Sequence, residues 1–109
     1  MADIKYLPIN KDAIPYRFNI KIHDTTYTFE VHYNSEGDYF TVDLYRGSRL
    51  LRCGEKIVYG RQLFGVYRNM DFPNARIIPW DFAGKSARVG WDTLGESVHC
   101  WILSEGEAQ

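Results

Sequence analysis

The chain has 109 residues, with 13 Lys and Arg against 14 Asp and Glu, for a formal net charge of −1. That length fits one domain with one modest core, and the charge balance lacks the clustered basic excess that nucleic acid or an anionic membrane would attract. No apolar run approaches the roughly 18 residues that span a bilayer. Met1-Ala2-Asp3-Ile4-Lys5 lacks the basic-then-apolar order of a secretory leader, so synthesis in the cytoplasm is expected. Aromatics are abundant (8 Tyr, 6 Phe and 3 Trp), which favours strands over helices. The two cysteines, Cys53 and Cys100, are read as reduced, buried thiols.

The strongest pattern runs through residues 16–53. Tyr16, Phe18, Ile20 and Ile22 alternate with polar residues, and so do Tyr27, Phe29, Val31 and Tyr33. A two-residue loop at Asp24-Thr25 would set Ile22 against Tyr27, Ile20 against Phe29, Phe18 against Val31 and Tyr16 against Tyr33. A one-residue slip would part the apolar sets, so the pattern is read as setting the register. A four-residue loop, Asn34-Ser35-Glu36-Gly37, then places Val31 opposite Phe40 and Phe29 opposite Val42, with Gly37 in the position that favours positive φ. Gly47-Ser48 fits a two-residue turn with Gly first, which sets Leu44 against Leu51 and Val42 against Cys53. Four consecutive strands thus share one apolar face that includes Cys53.

Beyond residues 55–59 the regularity fades. Gly60, Gly65, Pro73 and Pro79 punctuate residues 60–84, which are expected to wander over the sheet or one of its ends. Their many apolar side chains would close an open end of the core or meet a partner. Further strands are expected at 87–91 and 97–103, the second with Val98, Cys100 and Ile102 on one side. Residues 1–103 form one β domain, and residues 104–109 a disordered acidic tail. The expected fold is all-β, a small antiparallel meander-based sandwich or partly open barrel of about six or seven strands.

Little here carries chemistry. His23 and His32 fall on the polar face of the first hairpin, with Arg17 expected opposite His32 and Asn19 opposite Glu30; no histidine has zinc-like spacing. His99 and Cys100 are adjacent in a strand and point to opposite faces, which argues against a nucleophile–base pair. No phosphate loop, nucleophile elbow or C-x-x-C occurs. No catalytic residue, metal or cofactor is expected. Trp80-Asp81-Phe82-Ala83-Gly84 and Trp91-Asp92-Thr93-Leu94-Gly95 share the pattern W-D-x-x-G, read as turns in which the Asp caps and the Gly closes.

A resemblance extends this reading. Tyr6-Leu7-Pro8-Ile9, Ile14-Pro15-Tyr16-Arg17-Phe18 and Phe29-Glu30-Val31-His32-Tyr33-Asn34 come first. Phe40-Thr41-Val42-Asp43-Leu44-Tyr45, Gly54-Glu55-Lys56-Ile57-Val58-Tyr59-Gly60, Leu63-Phe64 and Leu94-Gly95-Glu96 follow in order. Over residues 6–103 the chain resembles the small baseplate plug proteins of contractile-tailed phages and related prophages. Thr93 departs from the Asn expected before Leu-Gly-Glu. The resemblance implies a structural, non-enzymatic protein at the centre of the virion tail baseplate, which helps close the tail channel beside hub, tube and other central tail proteins. A homo-oligomer within the baseplate is left open. Phe64, Phe72, Trp80, Phe82 and Trp91 are the candidate contact residues. The alternative is a small carbohydrate- or receptor-binding β module, with Tyr39 and Tyr45 as its outward aromatics.

Overall fold

The computed structural model describes residues 5–22, 25–64, 72 and 75–104. Among these residues seven strands form two antiparallel sheets: β1 (Lys5–Tyr6), β2 (Tyr16–Ile22), β3 (Thr25–Asn34), β4 (Tyr39–Arg46), β5 (Arg49–Lys56), β6 (Ala75–Trp80) and β7 (His99–Ser104). The larger sheet has the order β2-β3-β4-β5, the smaller β1-β7-β6, and one 3-10 turn spans Lys11–Ala13. The result is an all-β, sandwich-like fold that does not close into a barrel.

Period-two alternation makes the meander. Along β3 and β4, Phe29, Val31, Phe40, Val42 and Leu44 are all fully buried, while their sequence neighbours face outward. Each such burial contributes roughly 1.5–3 kcal/mol. From the smaller sheet Ile77 and Cys100 join the same core cluster, together with Leu7, Ile57 and Leu94 from the connections.

The apolar phase is as the sequence predicts, but the register is not. Ile20 pairs with Tyr27, Phe18 with Phe29 and Tyr16 with Val31, two residues from the expected pairing. Ile22 pairs with Thr25, so Thr25 belongs to β3 and not to the expected loop, and Asp24 lies outside the described residues. On the next hairpin Val31 pairs with Val42 and Phe29 with Leu44, again two residues away. A two-residue slip keeps every side chain on its own face, so alternation settles the phase and leaves pairings two residues apart equivalent. Turn chemistry chooses between them. The second loop is residues 35–38, and its left-handed position is Asp38 (φ 53°) rather than Gly37. A Cβ on Gly37 would stand 2.6 Å from the Tyr39 ring, so a side chain there would have to displace that ring.

The third hairpin has the expected Gly47-Ser48 turn, with Arg46 opposite Arg49 and Gly47 at φ 63°. Two irregularities then shift β5, so that Leu44 faces Arg52 and Val42 faces Glu55. Gly54 (φ 75°) lies in the second, between Arg52 and Glu55, its N–H donating to Asp43 Oδ1 at 2.8 Å. Cys53 is carried out of the core and exposed, contrary to expectation.

Residues 60–84 contain a strand that was not expected. Pro79 within β6 is compatible with pairing because β6 is an edge strand. Pro79 O accepts from Gly60 N (2.9 Å) and Ile77 O from Leu63 N (2.8 Å), so residues 60–63 cover that edge. Leu63, Phe64 and Phe72 are buried in the core cluster. Residues 87–91 are not a strand: Gly90 begins a turn in which Thr93 and Leu94 donate to Gly90 O. In β7, Val98 just before the strand and Cys100 are buried while Ile102 packs against the core, as the alternation predicts. Residues 105–109 of the expected tail lie outside those described, and Ser104 belongs to β7.

Candidate functional site

The outer face of the smaller sheet is aromatic. Ala75, Ile77 and Pro79 of β6 and Cys100 of β7 point inward, so alternation turns Arg76, Ile78, Trp80, His99 and Trp101 outward. Register places Trp101 between Tyr6 on one side and Ile78 on the other, and Trp80 beside His99. The rings touch one another. Tyr6 lies 4.1 Å from His99 and 5.1 Å from Trp101, and Phe82 meets Trp101 edge-on at 4.9 Å. Trp80 stacks on Tyr59 at 4.9 Å, and Trp101 Nε1 donates to Trp80 O at 2.9 Å. Tyr6, Trp80 and Phe82 remain 44%, 42% and 60% exposed, which leaves a broad apolar surface on a face that sandwiches usually make polar.

The turn after β6 presents Phe82. Asp81 is buried, and its carboxylate accepts from the amides of Ala83 (2.8 Å), Lys85 (2.9 Å) and Ser86 (2.9 Å). Burial pushes its carboxyl up, but these bonds from Ala83, Ser86 and Lys85, with a further one from Gly84, outweigh that and hold it below the ordinary carboxylate value. This turn is capped as its W-D-x-x-G pattern predicts, with Gly84 at φ 72°. The second copy is built differently. Asp92 pairs with Arg88 (2.6 Å), and the cap is Thr93, whose hydroxyl accepts from Gly90 N–H and donates to Arg88 O, both at 2.9 Å.

The five expected contact residues separate. Phe64 and Phe72 are buried in the core and offer no surface in this chain. Trp80 and Phe82 share the aromatic face. Trp91 is 40% exposed at another place, over Phe40 (6.0 Å, 11° between planes) and Tyr33 (4.8 Å), with the Lys11 ammonium 5.3 Å from its ring. Asp38 holds it there, accepting from Trp91 N–H (2.9 Å), Tyr33 Oη (2.6 Å) and Arg88. The Tyr33 hydroxyl, the Trp91 amide and the Arg88 charge hold the Asp38 carboxyl below its usual range. Sequence reasoning missed Tyr6 and Trp101. Their signal was available: Trp101 sits out of phase with Cys100 and Ile102, and so had to face outward.

The outer face of the larger sheet is polar. Arg17 is opposite Glu30 and Asn19 opposite Thr28, one pair away from the expected partners. Glu30, His32 and Asp43 come together on this face, with His32 Nε2 2.8 Å from Glu30 Oε2 and 3.3 Å from Asp43 Oδ2. The two tyrosines of the carbohydrate alternative are covered: Lys56 lies 4.5 Å over the Tyr39 ring and Arg17 4.6 Å over that of Tyr45. A cation over one face of each ring leaves less of it for a sugar to stack on. Cys100 is buried behind His99, and burial pushes its thiol up to about 12, so it is not a thiolate nucleophile.

A protein-family model described as cyanophage baseplate Pam3 plug gp18 matches residues 4–105, and no curated protein matches the chain. The match spans both sheets, the aromatic face and the two W-D-x-x-G turns. The chain therefore belongs to this baseplate plug family and has a structural role in the baseplate of a phage tail.

Proposed function

We propose that the protein is synthesised in the host cytoplasm and built into the centre of the baseplate, where it helps close the tail channel against hub and tube proteins. It does so as a structural part and not as an enzyme. The observation that carries this reading is the exposed aromatic face of β1, β7 and β6. Aromatic side chains with part of their surface already fixed by neighbours bury large area at small entropic cost, as interface anchors do. Phe82, Tyr6 and Trp80 provide the exposed rings, and Trp101 braces them. Trp91 serves the contact less directly, because it also closes the end of the larger sheet.

The test is incorporation into assembled tails. A W80A/F82A chain should stay folded by far-UV circular dichroism and be absent from purified virions. Normal incorporation of the folded double variant would overturn the assignment of this face. Unfolding of the variant would make the two side chains part of the core instead.

A further inference from the structure

We propose that Glu30, His32 and Asp43 form a binding site for one divalent transition-metal ion on the polar face of the larger sheet. The three ligands come from the middle of the meander. Glu30 and His32 are two apart on β3 and share a face, and Asp43 stands directly opposite Glu30 on β4. A cation bound at about 2.0–2.2 Å by nitrogen and oxygen ligands places those atoms roughly 3.0–3.5 Å from one another. His32 Nε2 stands 2.8 Å from Glu30 Oε2 and 3.3 Å from Asp43 Oδ2, close to that spacing before any ion draws them in.

Each carboxylate is aimed by a group outside the trio. Asp43 Oδ1 accepts from Gly54 N–H at 2.8 Å, so the bulge that expels Cys53 also turns Oδ2 towards His32. Glu30 Oε1 accepts from Arg17 Nε, which leaves Oε2 for the same point. Outer partners of this kind orient metal ligands in established sites. Two carboxylates against one guanidinium leave an excess of negative charge, and that guanidinium is held over the Tyr45 ring. One imidazole with two carboxylates suits zinc, iron or cobalt in the divalent state better than calcium or magnesium, which prefer all-oxygen shells. His32 is 41% exposed, so an ion can enter from solvent, and its remaining positions would be filled by water or by a side chain of a neighbouring baseplate protein.

The site lies away from the aromatic face, so its test is independent of the plug reading. Zinc chloride titrated into the full chain by calorimetry should bind at one equivalent. H32Q should abolish saturation, and E30Q and D43N should each weaken binding at least about tenfold. Because imidazole ligates only when neutral, affinity should fall on acidification. Cobalt(II) added to the isotopically labelled wild-type chain locates the ion without any substitution, and amide broadening should centre on residues 30, 32 and 43. Absence of zinc uptake, uptake undiminished in folded H32Q, or broadening centred elsewhere or nowhere would each overturn the assignment.

Discussion

The two sheets bury the same kind of surface and expose opposite kinds. Outward positions of β2, β3 and β4 carry Arg17, Asn19, Thr28, Glu30, His32 and Asp43, joined by ion pairs and hydrogen bonds such as Thr28 Oγ1 to Asn19 Oδ1 at 2.7 Å. Outward positions of β1, β6 and β7 carry Tyr6, Arg76, Ile78, Trp80, His99 and Trp101, mostly aromatic or apolar. An antiparallel sheet needs one apolar face to fold, and the larger sheet has that and no more. The smaller sheet has a second apolar face that its own core does not use. That surplus is the surface we propose as the contact with neighbouring baseplate proteins.

The difference can be broken by substitution, and the largest effects belong to the shared interior. Phe29 is fully buried between the layers, stacked on Phe18 at 5.6 Å and 6.4 Å from Phe64. Phe29→Ala should cost about 3–5 kcal/mol in urea unfolding. A smaller value would mean that the two sheets are less tightly joined than the core cluster implies.

The two exposed tryptophans sharpen the contrast. Trp91 covers Phe40 and Tyr33 and is tied down through its backbone by Asp38, so Trp91→Ala should cost about 1–2 kcal/mol. Trp80 rests mainly on Tyr59, and Trp80→Ala should cost less than about 1 kcal/mol while weakening incorporation into tails. Equal losses of stability would erase the distinction between a lid and a contact residue.

The smallest effect is the acid response. Asp38 beside the larger sheet and Asp81 beside the smaller both have carboxyl groups held below their ordinary value of 3.8. A depressed folded value stabilises fully above the unfolded value and is lost as pH falls through the lower one, so the window lies below about pH 4. The melting temperature of the wild type should fall more steeply there than that of D38N/D81N, by circular dichroism. Parallel curves would show that these bonds survive protonation.

Much of the fold was legible because alternation is a short-range signal. Phe29, Val31, Phe40, Val42 and Leu44 declare their face by spacing alone, and so do Val98, Cys100 and Ile102. The register was not, since pairings two residues apart bury the same side chains. Asp38 in the left-handed position, rather than Gly37, decides it for the second hairpin. Cys53 misled for a related reason: bulges in β5 change the side to which later residues point, and only Gly54 hinted at them. The strand at β6 was masked by Pro79, whose tolerance depends on its being at an edge.

The candidate site was legible in part. Trp80 and Phe82 stand out in sequence beside a capped turn. Tyr6 and Trp101 lie 95 positions apart and meet only because β1 pairs with β7. Phe64 and Phe72 share the aromatic character of the contact residues but occupy the interior, and side-chain type cannot separate those fates.

By itself the amino-acid order determined an all-β meander, the face of most of its side chains, the capped turn at Asp81 and the likeness to baseplate plugs. These follow from interactions between residues a few positions apart, or from patterns preserved along the chain. Tertiary structure alone decided that Tyr6, Trp80, Phe82 and Trp101 gather on one outer face, which rings are lids and which are free, and that Glu30, His32 and Asp43 converge. Those outcomes depend on pairings between distant strands, where several registers satisfy the local pattern and turns, bulges and edges select among them.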